Sequence, residues 1–354
     1  MRIICELTIN LLLLTLLSLI FSCTTVETTK SIDSNVNPNL QADLKKSQFS
    51  LLEDKSFSIL KIFSPSFLFI FSDATNGPNL KAIATYNSVF QAAPKTYSDY
   101  FDKKITLPDN FRNIITLPTA VHEAFHIYTF QGTGSKTTIY FGLNEKLTLN
   151  TFPTFPSNLI SDNISTDIKN NFASRYSVYI DSPMKAYTTQ KSGLFGLLNE
   201  YAAYFISAKT TIDLIDSFTE LIDYDDKYFY LFYQKIQSYL VGLDEFKYFV
   251  ASYLDYAEQN QKVVFEKIQS EIILKQVLTK LASKTDELKI ISNNKLKDLE
   301  ANLNFKLNSD GIKTSTKNIV LSTFSSSIYL ELDKIINEEL QKPRLQKVLT
   351  KFFQ

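Results

Sequence analysis

The chain has 354 residues, 44% of them hydrophobic, which is enough to bury a sizeable core in one large domain or two ordinary ones. Lys plus Arg and Asp plus Glu number 37 each, and this balance argues against a nucleic-acid partner. The 28 Phe and 19 Tyr are expected mostly in the core.

The N-terminus carries an apolar run, LTINLLLLTLLSLIFSC, at residues 7–23. It is of the secretory type, and it is too short and too weakly flanked to be an ordinary membrane span of a mature protein. Its end, LIFSC, resembles the lipobox of a bacterial lipoprotein signal. That resemblance implies cleavage before Cys23 and lipid attachment to that residue. A plain secretory signal with an incidental cysteine is the alternative.

The lipoprotein resemblance implies an extracytoplasmic location, with a lipid anchor in the bacterial cell envelope. Thr24 stands where Asp would favour retention at the inner membrane, so the resemblance favours the outer membrane. The expected organisation begins with a signal peptide at 1–22 and a flexible tether at 23–46, which is polar and lacks aromatic residues. Apart from Cys23 the mature chain then has no cysteine, hence neither a disulfide nor a thiolate ligand.

The first globular stretch predicts short strands. SFLFIFSD at 66–73 and LKAIATYNS at 80–88 are apolar or alternating runs that end in turn residues, and TTIYFGLN at 137–144 is a third strand candidate. Residues 147–170 are rich in Asn, Ser and Thr and contain Pro, which predicts a loop.

The second half of the chain has a helical pattern. Apolar residues recur at helical spacing from Gly193, and residues 228–306 contain one glycine and no proline. Long amphipathic helices are therefore expected there. A last helix should follow Gly311 and stop near Pro343.

The segment VHEAFHIY at 121–128 contains every histidine of the chain. On a helix, His122 and His126 lie on one face and could present two imidazole nitrogens to one metal ion. Glu123 could reach a water on that metal without binding the metal itself. Pro118 and Thr119 are expected to start the helix. The alternative is a helix whose two histidines are merely packed or exposed.

A catalytic zinc site needs a third protein ligand and an open position. With no further His and no available Cys, that ligand must be a carboxylate. The glutamates between residues 127 and 225 are Glu145, Glu200 and Glu220. Glu200 is favoured because LLNEYAAYF reads as a helix, whereas Glu145 lies between strand and loop patterns. Glu220 or an Asp stays open.

HExxH followed by LNEYAA resembles the gluzincin group of zincin metallopeptidases, in which a Glu on a second helix completes the zinc site. The resemblance implies that His122, His126 and Glu200 bind zinc and that Glu123 is the general base. Glu145, with eighteen residues between it and His126, has a spacing familiar from aminopeptidase-like members. A Tyr would donate to the transition state, and the sequence offers Tyr204 or Tyr201, with Tyr179 also open.

The resemblance implies an α+β, predominantly helical fold. A zincin-like catalytic region at 47–225 would place a small sheet beside the active-site helix, and residues 226–354 would form a helical region packed on it. The edge strand at 80–88 would pair with an extended substrate. The expected function is a membrane-anchored zinc metallopeptidase that acts on polypeptides. The alternative is a non-catalytic envelope lipoprotein, such as a scaffold, an adhesin or a degenerate zincin.

Overall fold

The computed structural model describes the chain in segments from Lys55 to its last residue. The described residues are 55–73, 77–93, 96–98, 104–129, 136–181, 188–221, 226–303, 305–308, 311–314, 318–319 and 323–354. The expected signal peptide and tether lie outside them. Those two expectations, and the predicted domain boundary after residue 225, stay predictions.

Helices dominate the described residues. In chain order the α-helices are α1 (Lys55–Phe63), α2 (Leu80–Ala92), α3 (Asp109–Thr129), α4 (Thr166–Asn170), α5 (Tyr176–Tyr179), α6 (Thr188–Lys191), α7 (Gly193–Asp213), α8 (Ile215–Leu221), α9 (Asp226–Asn260), α10 (Lys262–Ser270), α11 (Ile272–Leu303), α12 (Thr323–Leu340) and α13 (Pro343–Phe352). The 3-10 helices are Pro65–Ile70 and Ser157–Asn163.

The strands are short and pair only in antiparallel fashion among the described residues. They are β1 (Ser72–Asp73), β2 (Gly77–Pro78), β3 (Thr96–Ser98), β4 (Lys104–Thr106), β5 (Lys136–Gly142), β6 (Glu145–Asn150), β7 (Phe305–Asn308), β8 (Gly311–Thr314) and β9 (Asn318–Ile319). The first six form three two-stranded pairs, and the last three form one sheet in the order β7-β8-β9.

The β5–β6 hairpin confirms the strand predicted at 137–144. Its register runs from Lys136 opposite Asn150 to Gly142 opposite Glu145. The predicted loop at 147–170 is wrong at both ends, because strand β6 extends to Asn150 and helix α4 covers Thr166–Asn170. After β6 the chain is irregular up to the 3-10 helix, as loop-forming Pro and Asn residues favour.

The strand predicted at 80–88 is wrong, because these residues form the first part of α2. Asn79 caps that helix, since its side chain accepts a hydrogen bond from the backbone N–H of Ala82 at 3.2 Å. Ala82, Ile83 and Tyr86 are its buried residues, a helical spacing. The proposed edge strand for a substrate is therefore not formed by this segment.

The strand predicted at 66–73 is wrong over most of its length. Pro65 starts a 3-10 helix that buries Phe67, Phe69 and Ile70, and only Ser72–Asp73 is extended. A short apolar run that is buried on several sides does not distinguish a strand from a helical turn. Pro at the first helical position was the local signal for the helix.

Helix α3 begins earlier than predicted. It starts at Asp109 and runs through Pro118 to Thr129. Pro118 lacks a backbone N–H, so the helix gives up one internal hydrogen bond there. Pro118 is buried, as are Leu117, Ala120 and Val121 on the same helix.

The long helices predicted for the second half are confirmed as α9 and α11. The predicted stop near Pro343 corresponds to the break between α12 and α13, but the prediction that the helix before it is the last one is wrong, because Pro343 begins α13. None of the helices in the described segments is long and apolar enough to cross a membrane.

The chain divides into two compact units, each with its own core. One comprises residues 1–128 with 216–222, and its described core includes the aromatic contacts of Phe71 with Phe57 and Tyr86. The other comprises residues 129–215 with 223–354. In this second unit α7 packs against α9, α11 and β5, so α7 is buried along nearly its whole length.

Candidate metal centre

The two histidines lie one turn apart on α3 and both are buried. His122 is 6% exposed and His126 is 9% exposed, within a stretch whose apolar residues Val121, Ala124 and Phe125 are fully buried. The Nε2 atoms of the two rings are 3.0 Å apart, and the rings are nearly perpendicular at 79°. Ligands of a tetrahedral zinc with bonds of about 2.0–2.1 Å lie about 3.3 Å apart, so the pair matches two neighbouring ligands.

Glu200 joins this pair. One ligand-type atom from each of His122, His126 and Glu200 lies within 4.8 Å of the other two, and all three residues are buried. Two imidazoles and a carboxylate are the donor set of a catalytic zinc site, and this group could hold a metal ion.

Glu200 is positioned by helix α7. Its side chain is 6% exposed, and Oε1 accepts a hydrogen bond from Thr189 Oγ1 at 3.0 Å. The residue before it, Asn199, donates through Nδ2 to Oγ1 of Thr129 at 2.9 Å. Because Thr129 is the last residue of α3, this bond ties the end of the histidine helix to the turn of α7 that carries Glu200.

The rival ligand Glu145 lies elsewhere. It is the first residue of β6, its side chain is 41% exposed, and it forms an ion pair with Lys280 of α11 at 2.7 Å. The ligand group that the described residues form contains Glu200 and not Glu145. The side chain of Glu220 lies outside the described part of the chain.

Glu123, the predicted general base, is 7% exposed and directly follows His122 on α3. A carboxylate held at low exposure keeps its charge only with polar partners or an ion nearby. Glu123 is thus a buried carboxylate directly beside the histidine pair.

Tyr204 lies one turn after Glu200 on α7 and is 8% exposed. Burial raises the pKa of Tyr204 to about 12; the nearby Arg175 guanidinium opposes that rise and Glu200 adds to it. With this pKa the phenol is protonated at neutral pH, as an ordinary tyrosine also is, and can donate a hydrogen bond. Its ring is 6.4 Å from the ring of Tyr179, the third tyrosine that the sequence left open.

Tyr201 is fully buried, and its hydroxyl lies 3.3 Å from Oγ1 of Thr285 on α11. Burial raises the pKa of Tyr201 far above its usual range. Both tyrosines thus have hydrogen-bond partners within the protein, Thr285 for Tyr201 and Tyr179 with Arg175 for Tyr204.

A buried ion pair between Arg175 and Glu245 lies next to the ring of Tyr204. Arg175 Nη1 donates to Oε2 of Glu245 at 3.0 Å, and its Nη2 donates to the backbone oxygen of Ser238 at 2.7 Å. The guanidinium carbon lies 4.8 Å from the centre of the Tyr204 ring. Gly242 makes room, because a Cβ there would lie 2.7 Å from Cδ1 of Tyr204.

Sequence reasoning missed Thr189, the Asn199–Thr129 bond and the Arg175–Glu245 pair. Only the two glycines in GLFGLLNE hinted at a close approach of another segment to α7. No protein-family model, curated protein or solved structure matches this chain.

Proposed function

We propose that this protein is a zinc-dependent metallopeptidase with a zincin-like catalytic core. The observation that carries the proposal is the buried group of His122, His126 and Glu200, with one ligand atom of each within 4.8 Å of the others. Burying two imidazoles and a carboxylate close together costs free energy unless they bind a cation.

His122, His126 and Glu200 would hold the ion, and each matches the preference of zinc for nitrogen and carboxylate oxygen. When bound, zinc supplies a Lewis acid that polarises the scissile carbonyl and favours ionisation of water. Three protein ligands leave a fourth position open, which is the arrangement of catalytic sites rather than structural ones.

Glu123 is proposed as the general base. Its carboxylate accepts a proton from the water that attacks the scissile carbonyl carbon, and it then gives that proton to the departing amine nitrogen. Tyr204, held protonated by burial, is proposed to donate its O–H to the developing oxyanion. Tyr201, whose hydroxyl lies 3.3 Å from Oγ1 of Thr285, is the alternative donor.

The proposed substrate is a polypeptide, as the resemblance of HExxH and LNEYAA to gluzincins implies. The proposed setting is the bacterial cell envelope, with the chain held to the membrane by a lipid on Cys23 and the outer membrane favoured. The alternative, a non-catalytic lipoprotein, would share that anchor and lack turnover.

The test uses the purified chain from which the predicted signal has been removed. We expect close to one zinc per chain by elemental analysis and cleavage of a mixed fluorogenic peptide library. Glu123→Gln should keep the zinc and lower cleavage at least about 100-fold. A folded wild-type protein that takes up no zinc would overturn the proposal, and zinc without cleavage would favour the non-catalytic alternative.

A further inference from the structure

Glu200, the third proposed ligand, accepts a hydrogen bond from a residue outside the histidine motif. Thr189 Oγ1 donates to Oε1 of Glu200 at 3.0 Å, eleven positions apart in the sequence. A carboxylate on a helix can otherwise rotate about its last side-chain torsion, which is broad. A fixed donor on one oxygen sets the plane of the carboxylate and the direction of the other oxygen.

The segment that carries Thr189 is fixed at a second point. The next residue, Gln190, is 5% exposed and donates through Nε2 to the backbone oxygen of Ile180 at 3.0 Å. This hydrogen bond fixes the short helix α6 at the residue after Thr189. The Thr189 hydroxyl therefore projects from a helical turn that is itself fixed in place.

Gly196 allows this close approach. A Cβ on Gly196 would lie 2.1 Å from the backbone oxygen of Thr189 and 2.8 Å from its Cα. Gly196 and Glu200 are four apart on α7, so they share one face of the helix. The backbone of Thr189 thus packs against α7 at Gly196, which has no side chain. The Thr189 hydroxyl then reaches Glu200 one helical turn further along α7.

We infer that Thr189 is the positioning residue of the third metal ligand, and that Gly196 is present to let it reach Glu200. This inference rests on the proposed zinc site. Partners that orient a ligand change metal affinity by about 10- to 100-fold when they are removed. The role needs only the hydroxyl, since it is the Oγ1 atom that contacts the carboxylate.

The experiment measures the zinc dissociation constant of the full mature chain by competition with a chromophoric chelator. Thr189→Val should weaken zinc binding about 10- to 100-fold, whereas Thr189→Ser, which keeps the hydroxyl, should bind like the wild type. Gly196→Ala should weaken binding although Thr189 is intact. Thr148→Val is the matched control, because its exposed hydroxyl contacts only Thr138 among the described side chains, at 2.9 Å.

The thermal midpoint of the zinc-free variants separates positioning from folding. An unchanged midpoint with weaker zinc binding supports the inference. If Thr189→Val folds poorly, Thr189→Ala takes its place in the comparison. Alanine removes the same hydroxyl without adding an apolar branch. Wild-type affinity in the hydroxyl-free variant, or equal loss in Thr189→Ser, would overturn the role of the hydroxyl. A wild-type chain without zinc affinity would overturn the proposed function instead.

Discussion

The Nε2 atoms of His122 and His126 lie 3.0 Å apart on consecutive turns of α3, with both rings buried. At this distance one ring can donate a hydrogen bond to the other, and the same two nitrogens could also bind one metal ion. A bound ion would also take a ligand atom from Glu200, which makes this carboxylate the residue to test.

Glu200→Gln should weaken zinc binding at least about 100-fold, because the amide keeps the shape of the side chain and loses its charge. The wild type should gain about 2.7 kcal/mol of stability at a free zinc concentration of 100 times the dissociation constant. The variant should lose most of that gain. Chelator competition and thermal unfolding with and without zinc measure both effects.

Glu145→Gln is the matched control for that experiment. It removes a half-exposed ion pair with Lys280, which contributes about 1 kcal/mol or less once solvent screening is counted. Zinc binding should be unchanged. Loss of zinc affinity in Glu145→Gln, with Glu200→Gln unaffected, would transfer the third-ligand role to the rival residue.

The sequence predicted the parts of the site that depend on local spacing. The HExxH helix and the helix of Glu200 follow from residues four apart and from apolar periodicity. Thr189 could not be predicted, because its contact with Glu200 depends on how α6 lies against the bare turn at Gly196. The segment 80–88 was misread because its apolar residues suit both periods, and the cap at Asn79 decided the outcome.

Gly193→Ala should destabilise the protein by about 3 kcal/mol or more. The φ of Gly193 is +53°, a conformation that costs a residue with Cβ about 1–2 kcal/mol. A Cβ would also lie 2.1 Å from the backbone oxygen of Phe155, which accepts a hydrogen bond from the Tyr253 hydroxyl at 2.6 Å. The thermal midpoint should fall by about 5–10 °C.

Gly142→Ala is the control for this substitution. No atom lies within 4 Å of the position that a Cβ on Gly142 would occupy. Its midpoint should stay within about 2 °C of the wild type. Equal midpoints for both variants would show that the start of α7 adjusts to a side chain, against the close packing found there.

Asp244 should make stability depend on pH. Burial raises the pKa of Asp244 from 3.8 to about 6; its ion pair with Lys289 opposes that rise, and Asp333 adds to it. Because the Asp244 carboxyl binds its proton more tightly in the folded state than in the unfolded state, its contribution to folding stability is fully present below about pH 4. It is lost as the pH rises through 6.

Asp244→Asn removes that titration. The free energy of unfolding of the variant minus that of the wild type should rise between pH 4 and pH 7 by up to about 3 kcal/mol. Urea unfolding at several pH values measures the difference, in which titrating groups that do not interact with Asp244 cancel. Asp109→Asn, at a side chain that is 85% exposed, is the control substitution. A difference that is flat or falls with pH would contradict the raised pKa.

Arg175→Met should destabilise the protein by about 3–5 kcal/mol, because it leaves the fully buried Glu245 without its cation. Glu245 then retains hydrogen bonds from Ser174 Oγ at 2.6 Å and from the backbone N–H of residue 175 at 2.7 Å, which stabilise the carboxylate only in part. The coupling free energy between the two residues is measured by urea unfolding of three proteins: Arg175→Met, Glu245→Leu and the double variant.

The double variant should be much more stable than the sum of the single losses predicts, since no buried charge remains unpaired. Lys334→Met is the control, because the side chains of Lys334 and Glu338 are 77% and 67% exposed and lie 3.8 Å apart, so its loss should cost about 1 kcal/mol or less. Strictly additive losses would show that Arg175 and Glu245 act separately. In that case Arg175 would stabilise the second unit chiefly through its contact with the Tyr204 ring, 4.8 Å away, and Tyr204→Leu should then reproduce most of the loss seen in Arg175→Met.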